Sequence, residues 1–172
     1  MKAQMDLGKL GEEYVKICYG RRYLHIRPVP DNIATQLEWG DIVLPPLKAL
    51  GIGHKKIEVK TELKDPNGNF FIERWSNKST GRDGWLTTSP ADELFYLFWD
   101  VGYGFRFPCW QQSAWMIDYN QYRLVEQKQT DQHNDTWGFL VPHGSLKGPF
   151  APVKFDLCVD TKAQAIINRG KL

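Results

Sequence analysis

Cysteine is scarce: three residues (Cys18, Cys109 and Cys158) stand far apart and never in a C-x-x-C. A disulfide framework needs a patterned set and a structural zinc site needs paired ligands, so the count argues against both and for a reducing interior. Long apolar runs are missing too. No stretch approaches the ~18 residues that a membrane span requires. Residues 1–20 mix charges into their apolar positions and carry no cleavage pattern, against a secretory signal. Charge of one sign is also lacking, since 22 basic and 20 acidic side chains leave a net +2. That balance does not indicate a strongly basic nucleic-acid-binding domain. There is no internal repeat, no low-complexity linker and no phosphate-cradling loop, because Gly51-Ile-Gly53 lacks both a following lysine and a helix. The histidines (His25, His54, His133, His143) share no ligand spacing, and none pairs with a cysteine at a nucleophile motif. A zinc enzyme or a Cys–His hydrolase is therefore a poor reading.

What remains is a globular composition, 42% hydrophobic and 24% charged over 172 residues. That length makes one ordinary domain, 1–172, able to bury roughly 70% of the unfolded chain's surface. Leu7, Leu10, Tyr14, Ile17 and Cys18 recur at helical spacing within 6–19, with Gly20 following as a C-cap. Residues 23–29 alternate between prolines and read as a strand, and 41–44 is a short apolar run stopped by Pro45-Pro46. Residues 56–61 alternate again. A strong turn signal at 65–68 (Asp-Pro-Asn-Gly) then leads into 69–75, so 56–75 reads as a hairpin. Ser89, Pro90 and Asp92 look like the cap and first turn of a helix whose apolar body is Leu94, Phe95, Leu97 and Phe98. Beyond it, 115–117, 137–141 and 153–159 read as strands, 122–127 is ambiguous, and a short helix starts at Thr161. Helices interleaved with strands in this order predict an α/β or α+β fold with a central mixed sheet covered by helices.

Three positions carry chemistry as a set: Asp41 in Gly40-Asp-Ile-Val43, and Glu58 and Lys60 in Ile57-Glu-Val-Lys60. Period-two geometry puts Glu58 and Lys60 on one face of their strand, with Ile57 and Val59 on the other. Two carboxylates and a backbone carbonyl, here that of Val59, suffice for a hard cation such as Mg²⁺, which keeps several waters. Such an ion acidifies a bound water and offsets charge on a phosphate, while Lys60 can position the nucleophile or share that charge. Taken alone, an E-x-K pair on an exposed strand is most often a solvated salt bridge.

With the preceding helix and its Gly-Glu, this order resembles the PD-(D/E)xK nuclease superfamily, the restriction-endonuclease-like fold. Residues 67–73 (Asn-Gly-Asn-Phe-Phe-Ile-Glu) and 84–92 are similar to its resolvase and phage-type members. The likeness covers about 7–99, which would make that the core and 100–172 an addition. It implies Asp41 and Glu58 as metal carboxylates, Val59 as a carbonyl ligand, Lys60 as the catalytic lysine, and Mg²⁺ or Mn²⁺ as cofactor. It also implies a helix acid. Glu12 followed by Val15 fits the family spacing, whereas the helical wheel brings Glu13 nearer the apolar stripe; Glu12 is favoured narrowly. The implied activity is a metal-dependent DNA endonuclease hydrolysing phosphodiester bonds with metal-activated water, on duplex or branched DNA. A homodimer suits two-strand cutting. Composition and the lack of a long apolar run point to a cytoplasmic protein with no membrane partner, and the likeness to phage-type members makes a phage-encoded protein one option. The rival is a catalytically inactive nucleic-acid-binding module of the same fold; a carbohydrate-binding β protein is weaker, given two clear helices.

Other residues divide between roles. Glu73 could support the metal shell or serve a lysine across strands, and Asp92 suits a capping box better than a site. Trp75, Trp85, Trp99, Trp110, Trp115 and Trp137 read mostly as core, although stacking on unpaired bases is open to some. Lys55, Lys56, Lys64, Arg74, Lys78 and Arg82 are the basic candidates for phosphate contact.

Overall fold

The computed structural model describes residues 2–20, 27–28, 40–46, 53–65, 67–115, 118–127 and 135–169. Along the chain these form α1 (Lys2–Gly20), β1 (Arg27–Pro28), β2 (Ile42–Leu44), β3 (Lys55–Glu62), β4 (Asn69–Asn77) and β5 (Arg82–Asp83). There follow α2 (Trp85–Thr88), β6 (Glu93–Phe98), β7 (Tyr103–Phe107), α3 (Trp110–Trp115), β8 (Arg123–Glu126), β9 (Trp137–Pro142), β10 (Val153–Asp156) and α4 (Val159–Arg169). The fold is α+β, with two sheets. One is six-stranded and mixed, in the order β1-β2-β3-β6-β7-β10; the other is four-stranded and antiparallel, β5-β4-β9-β8. In the mixed sheet the β3–β6 pairing is parallel and the other neighbours are antiparallel.

Alternation along β6 explains the layering. Phe95 and Leu97 join Ile57 and Val59 under Tyr14 and Val15 of α1 and Ala165 of α4. Leu94, Tyr96 and Phe98 join Phe70, Ile72 and Val141 of the second sheet, with Leu86, Trp110 and Ala114 from α2 and α3. The mixed sheet is thus the middle layer, with α1 and α4 on one face and the second sheet, α2 and α3 on the other. Gly11 lets α1 settle against it: a Cβ there would lie 1.9 Å from Thr61 Oγ1 and 3.3 Å from Leu97 Cδ1. Among the described residues no helix is long and apolar enough to cross a membrane.

Several expectations need correction. Residues 93–98 are a strand, not a helix. All six are buried, because a central strand covered on both faces reads as a continuous apolar run. Asp92 caps nothing; its carboxylate accepts from Lys56 N at 2.8 Å and its amide donates to Lys56 O at 2.9 Å, tying β6 to β3. The turn at 65–68 is real, with Asn67 and Gly68 at φ of 66° and 68° and Gly68 N donating to Asp65 Oδ1 at 2.9 Å. It does not close a hairpin, however, because β2 and β6 already occupy both edges of β3 and β4 enters the other sheet. Trp115 ends α3 rather than opening a strand, for Trp110 and Ala114 at helical spacing pack into the core; residues 116–117 lie outside the described ones. Finally, 100–172 is no appendage, since β7 and β10 complete the mixed sheet and β8 and β9 supply half of the second. Of the strand read at 23–29, Arg27–Pro28 pairs with β2, and the rest falls outside the described residues. The one read at 153–159 stops at Asp156, and Val159 begins α4.

Candidate active site

Gly40 shapes the entry to the site. It sits at φ +73°, where a Cβ would come within 2.9 Å of the Ile57 carbonyl, so only glycine fits there without strain. Asp41 N still donates to Ile57 O at 2.9 Å, continuing the β2–β3 ladder, and its side chain then folds across to β3. There Asp41 Oδ2 accepts from Val59 N at 2.7 Å. Residues 47–52 lie outside the described ones, and β2 and β3 on either side of them pair in register.

On β3, Ile57 and Val59 face α1, so Glu58 and Lys60 face the second sheet. Lys60 Nζ lies 2.5 Å from Glu58 Oε1, and Ser89 Oγ donates to Glu58 Oε2 at 3.2 Å. Asp41, Glu58 and Lys60 line one cleft of about 390 Å³ between the sheets, with Glu73, Ser76, Arg82, Asp83, Trp85 and Ser89 among its walls. Glu73 comes from β4, its Oε1 accepting from Trp85 N at 3.4 Å, and the Trp85 ring lies 5.4 Å from Lys60 Nζ.

The electrostatics follow from this crowding. Burial and then Glu58 push the Asp41 carboxyl up to about 7, against the pull of Lys60 and the Val59 amide, with Glu12 adding to the push. Burial disfavours the Lys60 ammonium, yet Glu58 and Asp41 together more than offset it and hold its pKa above the ordinary value. Burial also raises Glu73, with Lys60 and the Trp85 amide opposing. Asp83 is tied to Arg74 at 2.5 Å, leaving Lys60 and Arg82 to face three other carboxylates of the cleft.

Asp41, Glu58 and Lys60 are thus brought together as a set. Val59 meets Asp41 through its amide. Glu12 lies on α1, outside the cleft lining and bridged to Lys16 at 3.7 Å, and reaches Asp41 through its charge. The donor chemistry fits a hard cation. The two crowded carboxylates of Asp41 and Glu58 repel one another, and a divalent ion would relieve that repulsion. Among the described residues no group of three or more His, Cys, Asp or Glu side chains is placed to hold a metal ion; a Mg²⁺ site can rest on one or two carboxylates and retained waters.

Sequence reasoning missed Glu93. This carboxylate is fully buried at the start of β6, facing α1, where it accepts from Lys55 Nζ at 2.6 Å, from Arg106 and from the Tyr19 hydroxyl. A charge opening a wholly apolar strand was the available signal, hidden by reading the segment as a helix. Set beside family models, curated proteins and solved structures, the chain matches none.

Proposed function

We propose that this protein is a Mg²⁺- or Mn²⁺-dependent phosphodiesterase that cuts DNA. The observation that carries the reading is the single cleft shared by Asp41 and Glu58 from adjacent strands, with Lys60 2.5 Å from Glu58. The likeness to the PD-(D/E)xK nucleases adds the same assignment by analogy. Asp41 and Glu58 would hold the ion, which supplies an acidified water and charge neutralisation at the phosphate. The Val59 amide fixes the Asp41 carboxylate, and Ser89 fixes that of Glu58. Lys60 is an ammonium in an ion pair, so its contribution is charge: it orients the nucleophile or stabilises the phosphate oxygens as charge develops. Glu12 tunes the Asp41 carboxyl from α1. A chain of this size spans little of a duplex, so two-strand cutting would use a homodimer.

The test is incubation with plasmid, single-stranded and branched DNA in Mg²⁺ or Mn²⁺, alongside Asp41→Ala and Lys60→Ala. Each variant is expected to lose cutting by about 10²-fold or more. Undiminished cutting by both would overturn the site. Binding without cutting by the wild type would favour the non-catalytic binding module.

A further inference from the structure

Five of the seven tryptophans have described side chains, and the fold separates these five into two groups. Trp85, Trp99 and Trp110 pack within or against the two core clusters, whereas Trp75 and Trp137 belong to neither. These two stand directly opposite each other on β4 and β9, half-buried, so their rings share one face of the second sheet. The other neighbour of Trp75 is Asp83 on β5, and Asp83, Ser76 and Glu73 all line the candidate cleft. With strands about 4.8 Å apart, the ring pair starts one strand away from the cleft wall. The register of β4 slips on both sides of Trp75, against β9 between Glu73 and Trp75 and against β5 between Trp75 and Asn77. Bulges of this kind bend a strand and re-aim its side chains, and they concentrate beside functional sites.

Cations accompany the rings. The Arg74 guanidinium lies 4.9 Å from the Trp75 centroid, and Lys78 Nζ lies 3.7 Å from that of Trp137 and 5.6 Å from that of Trp75. Lys78 is exposed and joins no salt bridge among the described residues, while Arg82, also exposed, continues the positive line into the cleft. The acids nearby are engaged: Asp83 with Arg74, and Asp135 with the Ser79 hydroxyl and the Trp137 indole. The Lys78 charge also acts on Asp135, but an exposed lysine that rests on ring faces without a salt bridge swings aside easily, which frees the ring and gives its ammonium to a phosphate.

Paired aromatic faces edged by cations suit one polymer above others. Every unpaired base offers a π-face and every linkage a phosphate, whereas the bases of a duplex are already stacked. Building on the DNA-cutting reading above, we infer that Trp75 and Trp137, with Arg74, Lys78 and Arg82, hold a single-stranded stretch of DNA running into the cleft. The substrate is then DNA with an unpaired segment beside the bond that is cut, such as a flap, a branch or a free strand.

The experiment reads binding apart from cutting. Fluorescence anisotropy with a labelled oligothymidylate, and with a duplex of equal length, is measured in EDTA so that nothing is hydrolysed. The single strand is expected to bind about tenfold tighter than the duplex, and Trp75→Ala and Lys78→Glu are each expected to weaken it about tenfold. Thermal melting identifies any variant that fails to fold, and exposed Lys78 keeps the test valid should Trp75→Ala do so. Folded variants that bind like the wild type, or a duplex bound as tightly as the single strand, would overturn the inference. The two readings also fail separately. If the strip binds single strands through these residues while no DNA is cut, the cleft assignment falls. If DNA is cut and Lys78→Glu binds and cuts single strands as the wild type does, the strip falls.

Discussion

Glu93 offers the sharpest test of what holds the mixed sheet against α1. Its side chain is 0% exposed, and Lys55, Arg106 and Tyr19 all donate to it. Glu93→Ala leaves two cations facing each other across an emptied site. Breaking a fully buried ion pair costs about 3–5 kcal/mol. Here Lys55 and Arg106 keep 35% and 42% of their side-chain surface in water, and solvation softens the loss to about 2–3 kcal/mol. Glu93→Gln keeps an acceptor and the volume, so its cost is nearer 1–2 kcal/mol, roughly that of one charge-assisted hydrogen bond. In urea titrations with a slope of about 2 kcal/mol/M, the alanine variant should shift the midpoint down by roughly 1–1.5 M with the slope unchanged. The pH dependence supplies an internal control. Burial opposes the Glu93 charge, but Arg106, Lys55 and Tyr19 together hold its carboxyl below the usual range. A depressed carboxyl contributes its stability in full above the unfolded value near 4.3, and loses it as pH falls through the folded value. The gap between wild type and Glu93→Gln should therefore be widest at neutral pH and close in acid. A midpoint shift under about 0.3 M for Glu93→Ala, or a Glu93→Gln gap that stays constant into acid, would refute the reasoning.

Further expectations are independent of Glu93. Gly11→Ala drives a Cβ toward Thr61 and Leu97 and should cost about 1–3 kcal/mol by overpacking, seen as a lower melting temperature; an unchanged melt would mean α1 does not rest on β3 as described. His143 is ringed by Phe70, Phe98 and Phe105, and burial first, then Lys154, hold its pKa below the usual value against the pull of Asp65. A lowered folded value means stability present above pH ~6.5 and lost as pH falls below it. The drop in melting temperature between pH 7 and 5 should accordingly flatten in His143→Leu, and an equal drop in both proteins would count against a buried neutral imidazole.

The sequence carried the site's core better than its surroundings. Gly40-Asp41 and Glu58-Val-Lys60 were legible because period two fixes which side chains share a face, and β3 obeys it from Ile57 to Lys60. The helix α1 was legible from its apolar spacing, as were β2, β4 and β9 from their composition. The misreading at 93–98 has a physical source: Leu94, Phe95, Leu97 and Phe98 satisfy helical spacing and a doubly covered strand equally well. Run length and the aromatic content favoured the strand, but Ser89-Pro90 imitated a helix start. The strand β7 went unread because Gly104 and Arg106 break its apolar pattern, although both are required by neighbours: Gly104 by the tight approach of Leu97 and Phe155, and Arg106 by Glu93. Which sheet β4 would join was not local information at all. That depended on β6 claiming the free edge of β3, some thirty residues later in the chain.

The interleaving of the two sheets also governs how the protein can be made. Asp41, Glu58 and Lys60 leave the ribosome before β6, which β3 needs as its parallel neighbour, and β4 waits for β9, which ends at Pro142. At ordinary elongation rates that interval lasts on the order of several seconds, during which β4 presents an unpaired edge. A nascent chain interrupted late in this window holds every residue that lines the cleft, but not the β9 strand that pairs with β4 behind Glu73. A chain broken off before Pro142 lacks the strand that pairs with β4, so it is an aggregation-prone fragment rather than a smaller folded unit.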